Sequence, residues 1–231
     1  MMAILCASTI SMAQFTGGGR LGVNFSNLRG SSVVGNSMLI GYNIGGFVNY
    51  SLNDWLSGDI ADILSVQSEL SVQTKGATLQ YSLLDANGDP YVFEGKQVFT
   101  YAEIPLLAKF TFRPSRNFSY FGEAGFFLGA LTGLTIDGEK SWDHDQERTT
   151  DPRKYRQEYS GFDFGVSIGA GVSVPFGGRN TPWSAFANVR GSIGLMNIGE
   201  EKEKTPDVMK PYLEDVKTGT LSLLFGVAYA F

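Results

Sequence analysis

The chain has 231 residues, of which 43% are apolar, 13% aromatic and only 18% charged, with 29 glycines and a formal charge of −5. The glycines follow no three-residue period, which excludes collagen, and the aromatic content is too high for a disordered chain. The negative charge argues against a nucleic-acid partner. A single cysteine (Cys6) rules out a disulfide framework, and a single histidine (His144) leaves little room for His-dependent catalysis.

Residues 1–13 read as an export signal, a short apolar core ending in Ser11-Met12-Ala13, a small-x-small cleavage pattern. No basic n-region precedes it, which reads as a truncated or misassigned start; a short core helix is the alternative. A lipoprotein reading of Cys6 is weaker, because the apolar core follows Cys6 as much as it precedes it. The remainder, 15–231, reads as one domain.

Along that domain one pattern recurs: alternation of apolar and polar residues, the period of a strand with two unlike faces. Leu21, Val23 and Phe25 oppose Arg20, Gly22 and Asn24. Tyr42, Ile44, Val48 and Tyr50 oppose Gly41, Asn43, Gly45 and Asn49. Leu64, Val66, Leu70 and Val72 oppose Ser65, Gln67, Glu69 and Ser71. Ala102, Ile104, Leu106, Ala108 and Phe110 oppose Tyr101, Glu103, Pro105, Leu107 and Lys109. The fifth strand sets Tyr120, Ala124, Phe126 and Leu128 against Phe121, Glu123 and Phe127. The sixth sets Phe162, Phe164, Val166, Ile168 and Val172 against Asp163, Ser167 and glycines. The seventh sets Trp183, Ala185, Val189 and Ile193 against Ser184, Asn188, Arg190 and Ser192. The last sets Leu221, Leu223, Phe225, Val227, Tyr229 and Phe231 against Ser222, Gly226 and Ala228.

These strands exceed the roughly 5–6 residues usual in soluble sheets and reach the roughly 9–11 that a tilted membrane strand needs. Connections alternate as well. Segments 29–39, 76–97, 134–159 and 198–217 are long and polar, whereas 113–117 and 177–182 are short; the stretch near 53–62 is intermediate and reads as a small insertion. Pro105 suggests a bulge. The fold class expected is all-β: an eight-stranded antiparallel up-and-down transmembrane barrel in the outer membrane of a Gram-negative bacterium, its short turns and termini on the periplasmic side. Tyr50, Trp55, Tyr120, Phe176, Trp183, Tyr229 and Phe231 form an interface girdle at the short-turn rim, with Tyr42, Tyr101, Tyr159 and Phe162 near the other rim.

The face turned away from lipid carries Arg20, Glu69, Glu103, Lys109, Glu123, Asp163 and Arg190, with Lys75 near the mouth. An eight-stranded barrel is just wide enough for its side chains to fill, so these charges are expected to pair in one polar lumen network of structural role. Asp143-His144-Asp145 is the one metal-like grouping, and it reads as a solvated loop. No catalytic residue, metal site or cofactor is expected.

Tyr101-Ala-Glu-Ile-Pro-Leu-Leu-Ala-Lys-Phe110, together with Gly22-Val-Asn-Phe-Ser-Asn-Leu28, the Gly-Glu-Ala-Gly run at 122–125, the Gly-Ala-Gly-Val run at 169–172 and the terminal Phe231, resembles the PorT-like outer-membrane β-barrel family. The resemblance implies a small outer-membrane barrel. The expected partners are outer-membrane lipid, the barrel assembly machinery through the C-terminal strand, and a protein or polysaccharide at the outer segments 76–97, 134–159 and 198–217. The expected role is structural or interactive. The alternatives are a narrow pore for small solutes or ions and a soluble lipocalin-like binder of apolar ligands.

Overall fold

The computed structural model describes residues 14–33, 36–53, 55–56, 58, 60–84, 90–115, 117–136, 159–177, 181–200 and 214–231. The expected signal segment, Cys6 and the Asp143-His144-Asp145 grouping lie outside them.

Eight strands run in order: β1 Phe15–Arg29, β2 Asn36–Ser51, β3 Leu64–Leu84, β4 Pro90–Phe112, β5 Ser119–Ile136, β6 Phe162–Pro175, β7 Trp183–Gly194 and β8 Lys217–Ala230. Each pairs antiparallel with its sequence neighbours, and β8 closes on β1, from Thr16↔Ala230 to Arg29↔Lys217. Closure removes every strand edge within the wall.

The alternation sets which face is outside. On β6, Phe162, Phe164, Ile168, Val172 and Val174 are exposed, Ile168 at 70%, while Asp163 between them is fully buried. On β3, Leu70 is 63% exposed and its neighbour Glu69 is 3% exposed. A surface of Leu, Ile, Val and Phe wrapped around buried carboxylates inverts the soluble pattern, and a hydrocarbon solvent is what makes it stable.

Four expectations are corrected. Segment 76–97 is not a loop: β3 and β4 continue through it, pairing as far as Leu84↔Pro90. Its Leu79, Tyr81 and Leu83 alternate with Gln80 and Ser82, so the strand signal persists beneath a polar composition. The first connection is likewise shorter than 29–39, spanning only 30–35. There Gly30 takes φ +129°, and a Cβ on it would lie 1.9 Å from the Asp215 carbonyl oxygen, so only glycine fits. Pro105 produces no bulge: the β3–β4 register is the same before it (Ser68↔Leu106) and after it (Ser71↔Glu103). The irregularities fall instead between Thr100 and Tyr101 on β4–β5 and between Met38 and Asn43 on β2–β3. Lastly, Tyr101 is not at the membrane interface. It is buried at the long-loop end with Leu28, Phe99, Leu131, Leu134, Ile198 and Val216, and Tyr159 packs half-buried against that cluster. Tyr101 follows the inward parity of Glu103, which places it inside the barrel.

Candidate functional site

The barrel has two chemically distinct surfaces, its rim and its lumen. At the short-turn rim the girdle aromatics touch one another. Trp183 meets Tyr229 with ring centroids 4.9 Å apart, Tyr229 meets Phe231 at 5.0 Å, and Phe176 meets Trp183 at 6.4 Å. Tyr120 stacks on Phe112, and Trp55 Nε1 donates to the Tyr50 hydroxyl at 3.0 Å. Phe15 also meets Tyr50, with ring centroids 5.0 Å apart.

The lumen is layered. Nearest the short turns lies a plate of three phenylalanines, Phe47, Phe121 and Phe186, in edge-on contact at 5.6 and 6.4 Å. Each stands opposite a glycine on the neighbouring strand: Gly18↔Phe47, Phe121↔Gly171 and Phe186↔Gly226. A Cβ on those glycines would come within 2.4–2.7 Å of the ring. The glycines are the seats of the rings.

Above the plate sits the first charge cluster. Arg190 grips Glu69 with both ends of its guanidinium, Nη1 to Oε2 at 2.6 Å and Nη2 to Oε1 at 2.8 Å, and its Nε donates to Glu123 Oε1 at 2.7 Å. Forked pairs of this kind are the strongest and most directional ion pairs. Arg20 Nη1 meets Glu69 Oε2 at 2.5 Å. Two amides complete the cluster: Asn188 donates to Glu123 at 2.7 Å and Gln67 to Glu69 at 2.6 Å. Lys109 donates to Gln67 Oε1 at 3.1 Å, stands opposite Glu123 in the β4–β5 register and lies over the Phe121 ring at 4.0 Å.

A layer of amides and hydroxyls follows. Gln73 Oε1 accepts from Asn24 and Asn43, both at 2.9 Å, and Ser222 donates to Asn24 at 2.7 Å. Beyond it lies a second charge cluster. Lys75 Nζ sits between Glu103 Oε2 at 2.7 Å and Asp163 Oδ2 at 3.1 Å, with the Phe127 ring 4.1 Å away. Thr218 donates to the same Asp163 oxygen at 2.8 Å. The apolar cluster of Phe99 and Tyr101 caps this end.

All seven charged residues singled out in the sequence thus lie on the inner face, but among the described residues no hydrogen bond or ion pair joins them into a single network; they divide into two clusters. Lys75 is not near the mouth: it is 1% exposed and central to the second cluster. The Phe47–Phe121–Phe186 plate and the Gln67 and Asn188 bridges went unrecognised in the sequence. The signal for the plate was there, an inward Phe facing a Gly on the adjoining strand, but it needs the register to be seen. Among the described residues no three His, Cys, Asp or Glu side chains gather as a metal site.

Outside the wall, Asp215 ties two connections together. It accepts from the Ser31 backbone N–H at 2.9 Å and from Lys217 Nζ at 2.7 Å. Lys217 foremost, then the Ser31 amide, holds its carboxyl below the ordinary range.

A closed antiparallel sheet with an apolar exterior and a charged interior defines a transmembrane β-barrel. The chain belongs to the family of the outer membrane protein beta-barrel domain, whose model matches residues 11–200, and it is a protein of the outer membrane. Among solved structures it is similar to the outer membrane protein OprG from Pseudomonas aeruginosa (10% identity, 94% of this chain and 95% of that one, TM-score 0.46). It is also similar to Neisserial surface protein A (12%, 95% and 97%, TM-score 0.44). A third is Ail, the attachment invasion locus protein of Yersinia pestis, in complex with the heparin analogue sucrose octasulfate (14%, 94% and 99%, TM-score 0.41). No curated protein matches the sequence.

Proposed function

We propose that the protein is a non-enzymatic, side-chain-filled barrel that works as a structural or interaction protein through the connections on its long-loop rim. The observation that carries this reading is the stacking of the lumen: an aromatic plate, two charge clusters with an amide layer between them, and an apolar cap. An ion crossing it would have to part the Arg190–Glu69 fork and the Lys75 pairs, each costly to open in a poorly hydrated interior. Within its family the chain is of the PorT-like kind, and the strand ending in Phe231 is the one the assembly machinery reads. The long-loop rim, including the β3–β4 hairpin and the connections through 137–161 and 195–216, meets a protein or polysaccharide. A soluble lipocalin-like binder would need an apolar interior, and this one is charged.

Planar-bilayer recording tests the reading against a narrow pore. The purified barrel is expected to give no stable single-channel conductance. Steady channels whose size changes with Glu103→Gln or Arg190→Ala would establish the pore instead.

A further inference from the structure

Below the phenylalanine plate the lumen opens into a vestibule of about 360 Å³ at the short-turn end. Its size is at the lower end of small-molecule sites. Its closed end is apolar, made by Phe47, Phe121 and Phe186, and its sides are set with hydroxyls, among them Ser119, Ser173 and Ser184. Lys109 and Arg113 also line it, and none of the described residues around it is acidic. Arg113 and Ser115 from the turn 113–117 and Thr181 and Pro182 from the turn 177–182 reach the cavity, and neither turn contains a carboxylate.

The charge balance above the plate points the same way. The first cluster holds three cations, Arg20, Arg190 and Lys109, against two carboxylates, Glu69 and Glu123. Lys109 is the cation left over: among the described residues its ammonium makes no ion pair, only the Gln67 bond and contacts with the rings at 4.0, 5.9 and 5.9 Å. Glu123 stands opposite it in the β4–β5 register without forming an ion pair, so the ammonium keeps donor capacity for a ligand. A cavity beside it, walled by hydroxyl donors and lined by Arg113, is complementary to an anion with an apolar body.

We propose that this vestibule binds a small organic anion, a carboxylate or a phosphate ester, with Lys109 and Arg113 as its cationic anchors and the phenylalanine plate against its apolar part. The plate stops the ligand, so the site holds it and does not pass it on. It lies at the rim opposite the long loops and stands or falls independently of what those loops contact.

The test is amide chemical-shift titration of the folded barrel in a non-ionic detergent. The probes are benzoate and phenyl phosphate, with benzyl alcohol and benzylamine as neutral and cationic controls. Both anions, or one of them, are expected to give saturable shifts at Ser119, Ser173 and Ser184, and the tighter of the two names the ligand class. Lys109→Met and Arg113→Gln are each expected to weaken binding about tenfold, the loss of one charge-assisted contact. Equal binding of the controls, no saturable shift with either anion, or unchanged affinity in both variants overturns the proposal. Should Lys109→Met fail to fold, unchanged affinity in Arg113→Gln, whose side chain is exposed at the rim, overturns it alone.

Discussion

Glycine has two different uses in this wall, and substitutions separate them. A Cβ on inward Gly171 would lie 2.5 Å from the Ala187 carbonyl oxygen and 2.6 Å from the Phe121 ring, whereas on outward Gly191 its nearest neighbour is 3.9 Å away. Gly171→Ala is therefore expected to cost about 1–3 kcal/mol in an unfolding titration. Gly191→Ala, facing lipid with room to spare, should leave the same titration unchanged or slightly improved. At the outer surface, Asp215 has its own pH signature. Its carboxyl is held below its ordinary value of 3.8 by Lys217 and the Ser31 amide. The tie it makes is therefore at full strength above that value and is lost only as pH falls through the lower, folded value. The Ser31 amide resonance should report this as a titration step displaced to acid, and the step should vanish in Asp215→Asn.

The strands and the connections divide the work of the molecule. Every pair in the wall is between sequence neighbours apart from the β1–β8 seam, so a connection can be shortened without altering a register. Removing residues 137–158 is expected to leave the heat-dependent gel mobility of a folded barrel intact while abolishing any partner contact at the outer surface. Failure to insert would assign that segment a role in folding. The strand count, the inward and outward faces and the aromatic rim were legible in the sequence because lipid on one side and charge on the other make period-two alternation strong. The ends of β3 and β4 were not, because this stretch is polar and turn-rich in composition even though Leu79, Tyr81, Tyr91 and Phe93 still alternate. Which charges meet was also hidden. Alternation says that Lys75 and Asp163 face inward, but only the stagger of the closed sheet brings two residues 88 positions apart to 3.1 Å.

At the scale of the whole barrel, the eight inner charges among the described residues sum to zero: Arg20, Lys75, Lys109 and Arg190 against Glu69, Glu103, Glu123 and Asp163. Arg190→Met removes the hub of this balance and strands Glu69 and Glu123 with too few donors. Breaking a buried pair from one side typically costs about 3–5 kcal/mol. The variant is expected to lose its folded, fast-migrating gel form at a lower temperature than the parent, and an unchanged transition would mean that water already solvates the cluster.

The hub draws its members from alternate strands: Arg20 from β1, Glu69 from β3, Glu123 from β5 and Arg190 from β7. No hairpin contains a complete set. A sheet assembled only as far as β4 carries Arg20, Glu69, Lys75, Glu103 and Lys109 while Glu123, Asp163 and Arg190 are still missing. Such a half-built sheet is poorly suited to hydrocarbon, because Glu69 still awaits Arg190, 121 residues downstream, and Lys75 awaits Asp163, 88 residues downstream. The fork on Glu69 closes only when β7 brings Arg190, so the pairing inside the lumen is completed late, and a chain that stops before β7 leaves Glu69 without it.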